Sequence, residues 1–239
     1  MKAIILAAGA SKRLGRLTEN LPKCLLSLGD KTIVEHQIEN LHLNGVRDIV
    51  MVTGFCEDKI KTACGASFRY ISNPLFATTN SIYSLWLARE EAREAFVVMN
   101  SDVVCHPQVL ANLLHSPHPD ALAISFHEHL GDEEMKVKIR DSRICDISKD
   151  LDPAEAQGEN VGIVKFSASG SQVLFKKIEE LVGQGVVTAW LPLAFQKICS
   201  YHTLYAVSTD GLPWTEIDFP EDLEKARNEI YPKIRSSIE

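Results

Sequence analysis

The sequence predicts an α/β fold. The form expected is a three-layer α/β/α arrangement around a mixed, mainly parallel, Rossmann-like sheet, with a small β-hairpin added. Three observations predict it. Short β-branched apolar runs alternate with helical spacing through the first half, the pattern of a sheet covered by helices. The first of these runs leads into a small-residue, glycine-containing junction, as strands that feed a ligand loop do. Finally, 239 residues, 45% apolar and 24% charged, suffice for a sizeable core.

Taken in order, Ala3 to Ala7, Asp48 to Thr53, Phe68 to Ser72 and Phe96 to Asn100 read as buried strands. Val34, Ile38 and Leu41 share one helix face, and Ser81 to Glu94 reads as a second helix with Ile82, Leu85 and Arg89 on one surface. His106-Pro107 opens a short helix, and Asp120 to Phe126 reads as a strand. Met135 to Arg140 and Arg143 to Ser148 form a hairpin around Asp141-Ser142. Asp150 to Glu159 is a polar loop, followed by a strand over Val161 to Phe166. Helices over Gly170 to Val182 and Thr188 to Cys199, a strand over Thr203 to Val207, and a helix from Pro220 to about Tyr231 complete the chain. Without a repeat or linker, one domain is expected over 1–239, with halves at 1–102 and 103–239.

The balance of 25 Lys plus Arg against 32 Asp plus Glu gives a net charge of −7, which argues against nucleic acid and anionic membranes as partners. Six cysteines without a C-x-x-C pair signal neither zinc nor a disulfide framework, so reduced thiols in the cytoplasm are expected. The apolar start Ala3 to Ala10 superficially resembles a signal peptide, but Lys12 and Arg13 follow at once, and it reads better as a strand and loop. No apolar run approaches the roughly 20 residues that span a bilayer.

The junction Leu6-Ala7-Ala8-Gly9-Ala10-Ser11-Lys12-Arg13 has the chemistry of a polyphosphate site. Small side chains let backbone N–H groups approach an anion, and Lys12 and Arg13 add positive charge, Arg13 in bidentate geometry. A plain glycine turn after a strand is the blander account of such a segment. Pro22 then fixes the approach of Lys23. Asp102 lies just beyond a buried run, at the strand end where open α/β sheets bind ligands. Asp218 precedes a helix whose first turn holds Pro220, Glu221 and Asp222. Capping explains the last two better than it explains Asp218.

These segments together resemble the nucleotidyltransferase superfamily, the nucleotide-diphospho-sugar transferase fold. The junction is similar to its L-A-A-G-x-[GS]-x-R-[LM] signature, and Leu21-Pro22-Lys23-Cys24-Leu25 to its P-K-[CAP]-[LM] segment. Trp214 to Leu223 resembles W-x-[ED]-[IV]-D-[TS]-x-E-D-[LY] of the cytidylyltransferase branch, with Phe219 where that branch carries a Thr or Ser cap. Thr78 to Leu85 is similar to the phosphocholine and 2-aminoethylphosphonate cytidylyltransferases, with inositol-phosphate enzymes close by.

The resemblance implies Arg13 and Lys23 as catalytic residues and Asp102 and Asp218 as ligands of Mg²⁺. It implies a nucleotide site formed by Leu6, Ala7, Ala8, Gly9, Ala10, Ser11 and Lys12, with Gly54 after the second strand and Thr79, Asn80, Ser81 and Ser84 around the base. Capping of a helix by Asn80 or Ser81 is the plainer account of the last group. Lys136, which strand alternation would place with Lys138 on a solvated face, is implied as a ligand of the acceptor phosphate. Glu159 and Trp190 would supply an acidic and aromatic wall for an acceptor carrying an amine.

The function expected is a Mg²⁺-dependent transfer of CMP from CTP to a small phosphorylated or phosphonate acceptor, with release of pyrophosphate. A sugar-1-phosphate or inositol-1-phosphate nucleotidylyltransferase is the first rival, and an inactive nucleotide-binding regulatory subunit the second. Partners are then small molecules, with a homodimer left open. A dehydrogenase is disfavoured because the dinucleotide glycine fingerprint is missing.

Overall fold

The computed structural model describes residues 1–127 and 130–237. The chain begins with β1 (Lys2–Ala7), passes through a 3-10 segment at Lys12–Thr18 and a 3-10 turn at Lys23–Leu25, and forms a miniature hairpin, β2 (Ser27–Leu28) and β3 (Lys31–Thr32). Then follow α1 (Ile33–Leu43), β4 (Asp48–Thr53), α2 (Glu57–Cys64), β5 (Arg69–Ser72), α3 (Ser81–Leu87), β6 (Phe96–Asn100), β7 (Val103–Cys105), α4 (Pro107–His115) and β8 (Ala121–Phe126). The second half continues with β9 (Lys136–Arg140), β10 (Arg143–Ser148), β11 (Gly158–Phe166), α5 (Ala168–Gly183), α6 (Pro192–Ile198), β12 (Tyr205–Ser208), β13 (Trp214–Glu216), α7 (Pro220–Lys225) and α8 (Tyr231–Ser236).

Among the described residues, nine strands form one sheet in the order β5-β4-β1-β6-β11-β8-β12-β10-β9. The β5-β4-β1-β6 part is parallel, as is the β8–β12 pair, while β11 runs antiparallel to both β6 and β8. Alternation along β1 divides the core. Ile4 and Leu6 join the layer containing α3, α5 and α6, whereas Ala3, Ile5 and Ala7 join the layer of α1 and α4. A third cluster, with Leu14, Leu28, Ile217 and Leu223, lies under the segment that follows β1.

Three helices differ from the sequence expectation. The helix begun at Ser81 ends at Leu87 instead of Glu94, because the Arg89 guanidinium donates to the Trp86 carbonyl and stacks 4.3 Å from its ring, closing the helix end. The helix expected from Thr188 begins only at Pro192, which has no N–H to bond back to residue 188, and the Leu191 N–H is taken by Ser81 Oγ at 2.8 Å. The last helix continues past Tyr231, through a π turn at Ala226–Ile230 into α8, where a wide turn accommodates Pro232. The hairpin around Asp141-Ser142 forms as expected, both residues adopting left-handed φ of 50° and 61°.

Candidate active site

A cavity of about 600 Å³ opens at the carboxyl ends of β1 and β6. Its floor is the junction after β1, where Leu6, Ala7, Ala8, Gly9, Ser11, Lys12 and Arg13 line the wall while Ala10 does not. Ser11 holds a left-handed φ of 50°, and its carbonyl accepts from Thr18 Oγ1 at 2.8 Å and from the Leu14 N–H at 3.2 Å. That strained residue turns the chain so that Lys12 and Arg13 point back over the strand end. Gly54 is not on the wall. A Cβ there would lie 2.8 Å from the Ala8 carbonyl and 2.7 Å from Phe76 Cβ, so its part is to let β4 and the junction pack closely, and Phe76 lines the cavity instead.

Residues from both ends of the chain meet at one corner. The β13 strand pairs antiparallel with β7, and the Ile217 N–H donates to the Asp102 carbonyl at 3.1 Å, which draws Glu216 and Asp218 beside Asp102. Ligand oxygens of Asp102, Glu216 and Asp218 lie within 4.8 Å of one another. Lys23, nearly buried, reaches Asp102 Oδ2 at 3.0 Å and Asp218 Oδ1 at 2.7 Å. Arg13 reaches the other oxygen of Asp218 at 2.6 Å.

The electrostatics follow from this packing. Burial alone would lower the Lys23 pKa, but Asp102 and Asp218 outweigh it and hold the ammonium above its ordinary value. For Asp218, burial works upward and is overcome by Lys23 and Arg13, so it stays ionised below the usual range. Glu216 is pushed well above the carboxylate range by burial and by its two acidic neighbours. The sequence reading missed Glu216 as part of this group. Its spacing of two from Asp218 along an extended segment, which puts both on one face, was the available signal.

On the opposite wall, Asn73 donates from Nδ2 to Thr79 Oγ1 and Ser84 Oγ, each at 3.1 Å, while Asn80 caps α3 through the Ser81 N–H at 2.7 Å. Thr79, Asn80, Ser81 and Ser84 all line the cavity. Ser81 also ties α3 to the segment carrying Trp190.

Trp190 lines the cavity from the irregular segment ahead of α6, half exposed, with Lys149 Nζ 5.1 Å from its ring. Glu159 lies behind the wall, where its neighbour Asn160 is the lining residue. Burial, helped by Glu134, pushes its carboxyl up to about 7. Lys136 departs from the expectation. It is 1% exposed, its ammonium donates to the Gly131 carbonyl at 2.7 Å, and it does not line the cavity. At this end β9 is flanked on both edges, with Ser148 of β10 and Glu159 of β11 opposite Lys136, so the residue lies inside the sheet instead of on a solvated margin. Lys149, unassigned in the sequence reading, lines the cavity in its place and pairs with Glu133 at 3.2 Å.

An anion-ready strand end, two cations and a cluster of carboxylates thus meet in one cavity, and the family match makes the chain a nucleotidyltransferase. The chain belongs to the MobA-like NTP transferase family, whose model matches residues 3–207. It is 41% identical over 101 residues to a choline-phosphate cytidylyltransferase of Streptococcus pneumoniae, a match covering 41% of this chain and 43% of that one. It is 26% identical to a CTP:phosphoglutamine cytidylyltransferase of Campylobacter jejuni, covering 94% of this chain and 98% of the relative. In three dimensions it superposes on the inositol-1-phosphate CTP transferase from T. maritima with a TM-score of 0.83 at 23% identity, covering 98% of this chain and 96% of that one, which shows the shared fold. Among the described residues no helix is long and apolar enough to cross a membrane.

Proposed function

We propose that the chain transfers CMP from CTP to a small acceptor bearing a phosphate or phosphonate, releasing pyrophosphate. The observation that carries this reading is the convergence of Arg13 and Lys23 on Asp102 and Asp218, across an interval of nearly the whole sequence, on the wall of a cavity floored by the strand-end junction. The names of two of the relatives, choline-phosphate and phosphoglutamine cytidylyltransferase, support cytidine as the nucleotide and a small phosphorylated acceptor. A third, a CMP-5'-(3-aminopropyl)phosphonate synthase of Streptomyces rubellomurinus, 32% identical over 130 residues that make up 21% of its length, supports including phosphonates.

An oxygen of the acceptor's phosphoryl group attacks the α-phosphorus in line. The new P–O bond forms as the bond to the bridging oxygen of pyrophosphate breaks, and the electron pair leaves with pyrophosphate. The acceptor is already anionic, so no strong general base is needed. Backbone N–H groups at Ala8 to Ser11 and the side chains of Lys12 and Arg13 bind the triphosphate, and Lys23 neutralises charge developing at the α-phosphoryl oxygens. Lys149 takes the acceptor phosphate, the part first expected of Lys136, and Trp190 packs against the acceptor's carbon skeleton.

Mg²⁺ fits the three-carboxylate corner. The donors are hard oxygens, and Asp102 Oδ1 is buried with no hydrogen-bond partner among the described residues, an orphan that a cation would satisfy. Asp102 and Asp218 would hold the ion, with Glu216 beside them. Bound there, it supplies Lewis-acid neutralisation of the phosphates.

The test is pyrophosphate release with CTP, UTP, GTP and dTTP, each against phosphocholine, 2-aminoethylphosphonate, inositol 1-phosphate and hexose 1-phosphates, with and without Mg²⁺. Release with CTP and a small phosphorylated or phosphonate acceptor, dependent on the ion, is expected. Turnover confined to UTP or dTTP with a hexose 1-phosphate overturns the cytidylyl reading.

A further inference from the structure

Phe219 occupies the residue before α7, a position where Ser, Thr, Asp or Asn would accept a backbone hydrogen bond and where a phenyl ring can accept none. The helix start is satisfied without it, since the Asp222 carboxylate accepts from both the Asp218 N–H at 2.9 Å and the Phe219 N–H at 2.8 Å. Nor does the ring belong to the apolar cluster beneath, and it remains 36% exposed. Its partner is Arg13, whose guanidinium carbon lies 5.0 Å from the ring centroid.

We propose that Phe219 is a positioning residue that holds the Arg13 guanidinium for the triphosphate. The proposal rests on the nucleotidyltransferase reading of the site. Arg13 is a long side chain, close to half exposed, from a 3-10 segment kinked at Gly15. Its other two contacts are carboxylates, Asp218 at 2.6 Å and Glu133 at 3.4 Å, and both lie along the N–H edge that phosphate oxygens need. A triphosphate repels Glu133, and a cation on Asp218 competes for the oxygen Arg13 uses. The aromatic contact differs, because the guanidinium carbon sits over the ring and the ring offers no carboxylate oxygen that phosphate or a cation would compete for. Phe219 therefore keeps Arg13 over the strand end when the ion pairs are exchanged for phosphate.

The experiment measures CTP binding by calorimetry, and KM and kcat, in Phe219→Thr, Phe219→Trp and Phe219→Thr combined with Arg13→Ala. Thr restores a helix cap, so the melting temperature of Phe219→Thr stays level or rises while CTP affinity and 1/KM for CTP fall by about fivefold. The acceptor KM and kcat move less, Phe219→Trp retains wild-type binding, and Phe219→Thr has no further effect once Arg13 is Ala. Unchanged CTP binding by Phe219→Thr, or an equal loss in the Arg13→Ala background, overturns the proposal while leaving the functional reading intact. Failure of the folded wild-type chain to bind CTP overturns both.

Discussion

Lys23 places its ammonium 2.7 Å from the carboxylate of Asp218, a residue 195 positions away, and the same nitrogen also bonds Asp102. In this arrangement the proposed phosphate-binding cation neutralises the proposed metal ligands. Lys23→Met leaves three clustered carboxylates without it. The expected result is a loss of stability of about 3 kcal/mol in the ion-free protein, as for other broken buried pairs. Chemical denaturation checks it, and turnover should fall by about a hundredfold or more. Mg²⁺ added to the variant should recover part of the lost stability, since the ion replaces the missing charge.

Asp102→Asn and Asp218→Asn should each abolish most pyrophosphate release, by about a hundredfold or more, with the far-ultraviolet circular dichroism of the native chain. Ordinary turnover in either variant would remove the case for a cation at this corner.

Lys149 and Lys136 should separate cleanly. Lys149→Ala is expected to raise the acceptor KM by more than tenfold with a smaller effect on CTP, since it lines the cavity. Lys136→Met should leave the acceptor KM within about twofold, because its ammonium is spent on the Gly131 carbonyl. Steady-state kinetics with the acceptor varied decide between the two lysines.

Glu159 gives a pH dependence of stability. Its carboxyl is pushed up to about 7 in the folded chain, above the ordinary value of 4.5. Below the ordinary value both folded and unfolded states are protonated and its contribution is fully present. Between that value and about 7 the unfolded state ionises while the folded state keeps its proton, so stability is lost as pH rises, by on the order of 3 kcal/mol. Glu159→Gln should therefore gain on the wild type steadily through that window and level off above it. Urea unfolding across the range measures this, and a flat difference would show that the carboxyl titrates normally.

The strand-end junction was legible because everything it needs is local: small residues, Lys12 and Arg13 follow one another directly, and β1, β4 and β6 each come from one unbroken, largely apolar run. That Asp102 and Asp218 come together was legible from the strand-end position of the first and the Trp214–Leu223 motif of the second. Glu216 was not, because its value comes from the β7–β13 pairing, which joins distant segments. Lys136 was misplaced for the same reason. Local alternation sets which residues share a face, but tertiary packing decides how deep in the sheet a strand lies and which face is dry. Trp190 was expected on a helix and lies instead ahead of Pro192, where a side chain from α3 claims the backbone.

β11 has a further consequence. It pairs with β6, which leads to Asp102, and with β8 and β9, and between Asn160 and Val164 its register shifts around Gly162, where a Cβ would lie 2.8 Å from Asn100 Nδ2. One strand thus ties the part of the sheet that carries β6 to the part that carries β8 and β9. Spreading the two sides apart like jaws would tear its ladder, so opening of the cavity is left to side chains, among them Arg13 and Lys149 on the shared Glu133 carboxylate.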